Sequence, residues 1–283
     1  MRLKSRLLIP MLLSSLALAL AGVMLFLTTP AKLAWGGVIL AAGAWPGFIL
    51  YLTGPKAIAR TKARLPLTMS LSITGSIVAV LATMVTPSGP AALLCALAGT
   101  AIFLWYNFVY SRFGGRDSQT LRLGQPLPDF HLEQADGQAV TRADFLGRKA
   151  LFLFYRGNWC PLCMAQIEEV AAQYRRLDEL GVTVALVSGQ PHTQTADLAA
   201  RFNVPMRFLV DPGLSTARAF DIIAEDGTPS GFKKRFGADT MMPTVVAIDE
   251  TGTVIWLDQT DNYRVRPEPE TFLAAFETQR QAA

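Results

Sequence analysis

The first 116 residues constrain this chain most, because they contain long apolar runs and no acidic residue at all. Residues 7–31 and 33–55 are uncharged, and residues 65–111 form a longer uncharged run interrupted at 86–90 by Pro, Ser and Gly. About twenty apolar residues suffice for a helix to cross the hydrocarbon core of a bilayer. We therefore predict an all-α bundle of about four transmembrane helices, at residues 7–27, 33–52, 67–85 and 91–110.

Basic residues at the span ends predict the topology. Three precede the first span, Lys32 alone lies between the first and second, four lie between the second and third, and three follow the fourth. Cytoplasmic loops are enriched in Lys and Arg, so both termini are predicted to be cytoplasmic in an inner or plasma membrane. Residues 1–27 also resemble a signal peptide, whose cleavage would leave three spans and the same side for the C-terminal half.

The charge distribution separates a membrane region from a soluble one. Residues 1–116 carry a net charge of +10, whereas residues 117–283 carry −6. Since the positive excess flanks apolar runs, we predict a lipid bilayer as partner and no nucleic acid. The expected organisation is a transmembrane region at 1–111, a polar linker at 112–122 and a soluble domain at 123–283.

A cysteine pair marks the soluble domain. The apolar run ending at Tyr155 predicts a buried strand, and after a Gly157-Asn158 turn Cys160 and Cys163 begin a segment with helical spacing. A helix N-terminus favours a thiolate at Cys160, and Cys163 lies one turn on, within disulfide reach. Trp159 precedes the pair and Pro161 lies within it, which points to thiol chemistry more than to two structural cysteines.

Metal binding is the other common use of such a pair. Zinc needs about four ligands, and the soluble half offers only His131 and His192 besides the two cysteines, without ligand spacing. We interpret both histidines as surface or structural residues and predict neither metal nor cofactor. The third cysteine, Cys95, lies in an uncharged stretch and is interpreted as a buried, inert thiol.

Three ordered motifs resemble the redoxin family of alkyl hydroperoxide reductase and thiol-specific antioxidant proteins (AhpC/TSA), in the thioredoxin superfamily. They are GQPLPDF, FYRGNWCPLC and MMPTVVAIDETGTVIW, and the resemblance covers residues 121–279. It implies an α/β thioredoxin-like fold, with a central mixed sheet flanked by helices. It also implies that Cys160 is the attacking thiolate, that Cys163 is the resolving thiol, and that Pro243 is a cis-proline beside the disulfide.

The sequence departs from peroxiredoxins at two points. Their P-x-x-x-T-x-x-C pattern would require proline and threonine where this chain has Leu153 and Gly157, and Met242-Pro243 stands where they carry an arginine. Three arginines could still stabilise a thiolate or bind an oxygen substrate: Arg156, Arg264 and Arg266.

The predicted function is that of a membrane-anchored thiol-dependent oxidoreductase that reduces disulfides, with a thiol electron donor. The alternatives are a peroxiredoxin-type thiol peroxidase, with Cys160 oxidised by peroxide and Cys163 resolving, and a membrane-tethered redox sensor without enzymatic activity.

Overall fold

The computed structural model describes residues 2–56, 58–85, 90–116 and 120–282. The chain divides into two compact units. One is helical and comprises Leu3–Lys56 and Thr61–Arg112, and the other contains the chain from Phe113 onward with two short stretches of the N-terminal half. The turn predicted around residues 86–89 and part of the predicted linker, residues 117–119, lie outside the described residues.

The helical unit contains the four predicted apolar helices. Their lengths and mean hydropathies, between 1.6 and 2.3, are sufficient for each to cross a bilayer. The last of them ends in a π-helical turn, Tyr106–Tyr110. The helices are α1 (Arg2–Thr28), α2 (Lys32–Leu52), α3 (Pro66–Val85) and α4 (Pro90–Trp105).

Helices α2 and α3 approach each other at two glycines. A Cβ on Gly75 would lie 2.4 Å from the Ala41 backbone nitrogen, and one on Gly37 would lie 2.6 Å from the Gly75 carbonyl oxygen. Only glycine fits such a backbone contact. Close to it, the buried Ser72 hydroxyl donates to the Ala41 carbonyl oxygen at 3.1 Å, so a polar group inside this apolar unit is satisfied.

The second unit is built on a seven-stranded mixed sheet, as the predicted fold class requires, in the order β2-β1-β5-β4-β3-β8-β9. The strands of this sheet are β1 (His131–Gln134), β2 (Ala139–Thr141), β3 (Lys149–Phe154), β4 (Val182–Ser188), β5 (Arg207–Val210), β8 (Thr244–Ile248) and β9 (Val254–Asp258). A separate two-stranded ribbon pairs β6 (Ile223–Ala224) with β7 (Thr240–Met241). The helices are α5 (Pro161–Ala172), α6 (Tyr174–Glu179), α7 (His192–Ala199), α8 (Ser215–Ala219), α9 (Lys233–Phe236) and α10 (Pro269–Ala282).

Strand β3 is central, and every one of its residues is buried. It pairs in parallel with β4 and antiparallel with β8, which explains why its sequence is apolar on both faces. Phe154 pairs with Val187 on one side and with Thr244 on the other. The end of β3 and the start of β8 therefore meet at one edge of the sheet, where the cysteine loop begins.

In two segments of the second unit, the structure is more finely divided than the spacing of residues in the sequence indicates. The helical spacing from Cys160 to Leu180 is divided between α5 and α6, which are separated at Gln173. The Gly-rich, basic excursion at 226–237 contains α9 and is bracketed by the β6-β7 ribbon. Strands of two residues are too short to show an alternating pattern, so periodicity does not reveal them.

Candidate active site

The cysteine loop leaves the sheet directly after β3. Tyr155 continues the ladder through its N–H, which donates to Val187 O at 2.9 Å. Cys160 then takes an extended conformation (φ −96°, ψ 108°) as the N-cap of α5, and Pro161 follows at the first helical positions, where a missing N–H costs no hydrogen bond. The Cys160 carbonyl accepts from Cys163 N at 3.0 Å. Both cysteines therefore lie in the first turn, at the positive end of the helix dipole.

Gly157 forms the tight turn before the pair. Its φ of 140° lies in the region that favours glycine, and a Cβ there would stand 2.7 Å from Trp159 Nε1. The absence of threonine at this position thus has a local reason. The backbone conformation excludes a β-branched residue, and the indole lies against the position its side chain would need.

Arg266 lies against both sulfurs. Its Nη2 donates to Cys163 Sγ at 3.3 Å and lies 3.9 Å from Cys160 Sγ. Its Nη1 donates to Gln166 Oε1 at 2.6 Å, and its Nε donates to Tyr263 O at 3.2 Å. The residue is 5% exposed, so its charge acts on the sulfurs with little solvent screening.

The two thiols are unequal. Burial raises the pKa of Cys163, but a hydrogen bond from Cys160, the Arg266 charge and the Arg156 N–H and guanidinium together lower that pKa to about 5. Burial raises the pKa of Cys160 well above its ordinary value, and the hydrogen bond to Cys163 and the Cys163 charge raise it further. The two shifts have opposite directions, so they favour loss of the Cys163 proton before the Cys160 proton. These directions differ from the sequence-based prediction, because the helix N-terminus considered alone favours the thiolate at Cys160.

Arg156 supports the loop from the other side. It is buried, donates from Nη2 to Gly227 O at 2.6 Å, and stacks its guanidinium 4.8 Å over Trp159 and 5.0 Å over Tyr263. Its carbonyl oxygen accepts from the Thr240 hydroxyl at 2.7 Å. Arg156 therefore ties the cysteine loop to the excursion between β6 and β7, and its charge reaches the thiols as a secondary effect.

Trp159 takes part in an aromatic stack. Its ring stacks on Phe232, with centroids 5.6 Å apart and an interplanar angle of 19°. Phe232 is 41% exposed, whereas Cys160 and Cys163 are 2% and 0% exposed. Pro161 is exposed at the helix start. The thiols thus lie beneath the surface of the domain, and the aromatic pair forms part of that surface.

Pro243 directly precedes β8, at the edge of the sheet where the cysteine loop begins, and the cis isomer implied by the family resemblance is wrong. Within the described residues no peptide bond is cis, so Met242-Pro243 is trans. Only two residues join β7 to β8, with Met242 N donating to Ile222 O at 2.7 Å and Pro243 O accepting from Arg116 at 2.7 Å. These hydrogen bonds hold an extended passage between the strands, and trans is the lower-energy form of an X-Pro bond by about 0.5–1 kcal/mol.

The remaining candidates lie elsewhere. His192 Nε2 is 2.6 Å from a Glu133 carboxylate oxygen, and His131 is an exposed residue of β1. Arg264 is fully buried. Cys95 is half-buried in α4.

Sequence reasoning missed Gln166, and it named Arg156 as the supporting arginine while giving Arg264 and Arg266 only as further possibilities. Gln166 is a polar residue three positions after Cys163 on the buried face of α5, and this is the signal that marks it. Two buried arginines, Arg264 and Arg266, occur two positions apart, and no local pattern distinguishes the one that contacts the sulfurs.

Comparison with known proteins agrees with the geometry. Residues 123–257 match the family model described as AhpC/TSA family. The thiol-disulfide oxidoreductase ResA of Halalkalibacterium halodurans is 25% identical over 163 residues, 57% of this chain and 81% of that protein. ResA of Bacillus subtilis is 28% identical over 131 residues, which are 46% of this chain and 68% of that protein. The chloroplastic peroxiredoxin Q of Oryza sativa subsp. japonica is 26% identical over 102 residues, which are 36% of this chain and 47% of that protein.

Among solved structures, the crystal structure of Enterococcus faecalis AhpC aligns with 56% of this chain and 93% of its own, at 20% identity and a TM-score of 0.46. The family match covers the β3-α5 segment with both cysteines and the strands around it. Residues 123–257 therefore resemble the AhpC/TSA family, and this redoxin-like domain follows four helices apolar enough to cross a membrane.

Proposed function

We propose that this protein is a membrane-anchored thiol-disulfide oxidoreductase in which Cys160 attacks a substrate disulfide and Cys163 resolves the mixed disulfide. The observation that carries the proposal is that one guanidinium nitrogen of Arg266 reaches both sulfurs, at 3.3 and 3.9 Å. A resolving thiol is therefore already beside the attacking one, as disulfide exchange requires. The ResA relatives support the same activity class.

The trans Pro243 and the burial of both sulfurs add a requirement. A disulfide substrate reaches Cys160 Sγ only if part of the surrounding structure moves, because Cys160 is 2% exposed. We propose a peptide or protein disulfide as substrate, and a dithiol protein or small thiol as the donor that re-reduces the pair. The four apolar helices anchor the domain to the bilayer, on the cytoplasmic side by the distribution of basic residues.

A thiol peroxidase is the second candidate, favoured by the peroxiredoxin Q relatives. In that reaction Cys160 would be oxidised to a sulfenic acid and would condense with Cys163. Gly157 and the indole of Trp159 occupy the region where the peroxiredoxin pattern places its threonine, and this favours the disulfide reaction.

The test uses the full chain in detergent, as wild type, Cys160→Ser and Cys163→Ser, with Cys95→Ser as the matched control. Reduction of a protein disulfide and consumption of peroxide are measured with the same thiol donor. We expect disulfide reduction in the wild type and control, no reduction by Cys160→Ser, and in Cys163→Ser a mixed disulfide on Cys160 that forms only at a pH high enough to ionise Cys160 itself. Peroxide consumption faster than disulfide reduction, and lost in Cys160→Ser, would establish the peroxidase instead.

A further inference from the structure

Three groups other than the two sulfurs hold the Arg266 side chain in one position. Gln166 Oε1 accepts from Nη1, Tyr263 O accepts from Nε, and the β9 residue Asp258 adds an opposite charge nearby. Little rotational freedom remains for the guanidinium, so the difference between 3.3 Å to Cys163 and 3.9 Å to Cys160 is built into the domain. The shorter, better hydrogen bond goes to the second cysteine of the pair.

The groups around Cys163 agree with this asymmetry. The Arg156 N–H, from the loop after β3, donates to Cys163 in addition to Arg266. Tyr155, at the end of β3, is a neutral buried phenol whose pKa is raised, first by burial. Among the residues that the structure describes, Arg266 and Arg156 are the charged side chains that shift the pKa values of the pair, and Asp258 of β9 interacts with Arg266.

We propose that Arg266 holds the negative charge of the reduced pair on Cys163, and that this thiolate is the base that accepts the proton of Cys160 when Cys160 attacks. The location of the negative charge does not depend on the proposed function. The role of the Cys163 thiolate as base rests on it and deepens it. Attack then requires no histidine or carboxylate, because the base is the resolving cysteine itself.

The steps balance. As Cys160 Sγ bonds to one sulfur of R–S–S–R′, its proton passes to Cys163 Sγ, the substrate S–S bond breaks, and R′–S⁻ leaves with the bonding electrons. R′–S⁻ takes the proton back from Cys163, giving R′–SH. The Cys163 thiolate, again paired with Arg266, attacks Cys160 Sγ, and R–S⁻ leaves and is protonated by water. Two electrons pass from the pair to the substrate, which becomes two thiols.

The test is a pH titration of thiolate ultraviolet absorbance on the full chain in detergent, with Cys95→Ser throughout. Single variants Cys160→Ser and Cys163→Ser identify the titrating sulfur, and each is combined with Arg266→Met. We expect Cys163 in the Cys160→Ser chain to titrate far below an ordinary cysteine, and Arg266→Met to raise that midpoint by about one to three pH units. Arg176→Met, which breaks a surface ion pair with Glu277, is the control and leaves the midpoint unchanged.

Arg266→Lys keeps a positive charge but not the fork that binds Gln166 and a sulfur together. It should give a midpoint between those of the wild type and Arg266→Met, and it guards against a Met variant that fails to fold. An acidic midpoint found in Cys163→Ser and absent from Cys160→Ser would overturn the assignment, as would a midpoint insensitive to Arg266→Met. Because the titration needs no substrate, its result stands apart from the disulfide assay. If reduction is absent while the titration behaves as expected, the proposed function fails and the charge assignment is retained.

The base role has its own measurement. In the wild type, the rate of disulfide reduction should rise with pH through the same midpoint as the Cys163 titration, and Arg266→Met should move both midpoints together. A rate profile that stays in place while the titration moves would show that Cys163 is not the base.

Discussion

A Cβ placed on Gly157 would stand 2.7 Å from the indole nitrogen of Trp159, at a residue whose φ is 140°. This pair of residues separates the site from the peroxiredoxin pattern, since the threonine of that pattern would need the space that the indole fills. Two costs therefore oppose a threonine here, the backbone strain and the collision.

Gly157→Thr should destabilise the domain by about 1–3 kcal/mol and abolish disulfide reduction without creating peroxide consumption. Hydrogen exchange of β3 amides in the full chain measures the first effect, and the paired assays measure the second. Gly237→Thr, at a positive φ of 82° with no atom within 4 Å of an added Cβ, isolates the strain alone. A Gly157→Thr chain that gains peroxide consumption would show that the missing hydroxyl alone separates the two activities.

The reduced cysteine pair should make stability depend on pH. The folded pKa of Cys163, about 5, lies below the ordinary value of 9.0, so the stabilisation by its thiolate is complete above 9 and is lost as the pH falls towards 5. Between these values the unfolded chain binds the extra proton, and stability should rise with pH by at most about 1.4 kcal/mol per pH unit. Cys160 acts oppositely, because its folded pKa is raised, so the contribution of the pair should decline above pH 9.

The measurement compares the free energy of unfolding of reduced wild type and reduced Cys163→Ser between pH 5 and 9. Other titrating groups cancel in the difference, and Cys95→Ser supplies the cysteine control. A difference that stays constant over this range would contradict a thiolate on Cys163.

The stack of Trp159 on Phe232 should hold residues 157–160 against the start of α9. Removing the ring in Phe232→Ala should cost about 0.5–1.5 kcal/mol locally and accelerate hydrogen exchange both in α9 and in residues 157–160. Phe236→Ala is the matched control, because Phe236 ends α9, Phe232 is the N-cap residue of that helix, and their rings lie 6.5 Å apart in a tilted arrangement. It should accelerate exchange in α9 only, and equal effects of the two variants on residues 157–160 would contradict the role of the stack.

Membrane topology requires exposed reporters, because Cys160 is too buried to serve as one. In a chain lacking its three cysteines, Gln138→Cys lies in an exposed turn of the redoxin domain, and Thr28→Cys lies exposed at the end of α1. A membrane-impermeant thiol reagent applied to intact cells or spheroplasts should label Thr28→Cys and spare Gln138→Cys until the membrane is permeabilised. The reverse labelling would place the redoxin domain outside the cytoplasm.

The parts of the fold that local pattern controls could be predicted from the sequence. Strand β3 is wholly apolar because it is buried between β4 and β8, and Cys160 with Pro161 marks the start of α5. The arrangement around the sulfurs could not be predicted in the same way. Gln166 and Arg266 are 100 residues apart in sequence, and their contact depends on how the segment before α10 packs on α5. Helix position alone favours a thiolate on Cys160, and the hydrogen bond from Cys160 together with the packed Arg266 and Arg156 favours one on Cys163 instead.

The guanidinium that completes the site comes from a residue 103 positions after Cys163. During synthesis, both cysteines therefore leave the ribosome well before the residue that makes one of them acidic. On the growing chain they are ordinary thiols, mostly protonated near neutral pH and slow to exchange. The order of residues thus separates the synthesis of the thiol pair from the arrival of the charge that helps to lower the pKa of Cys163.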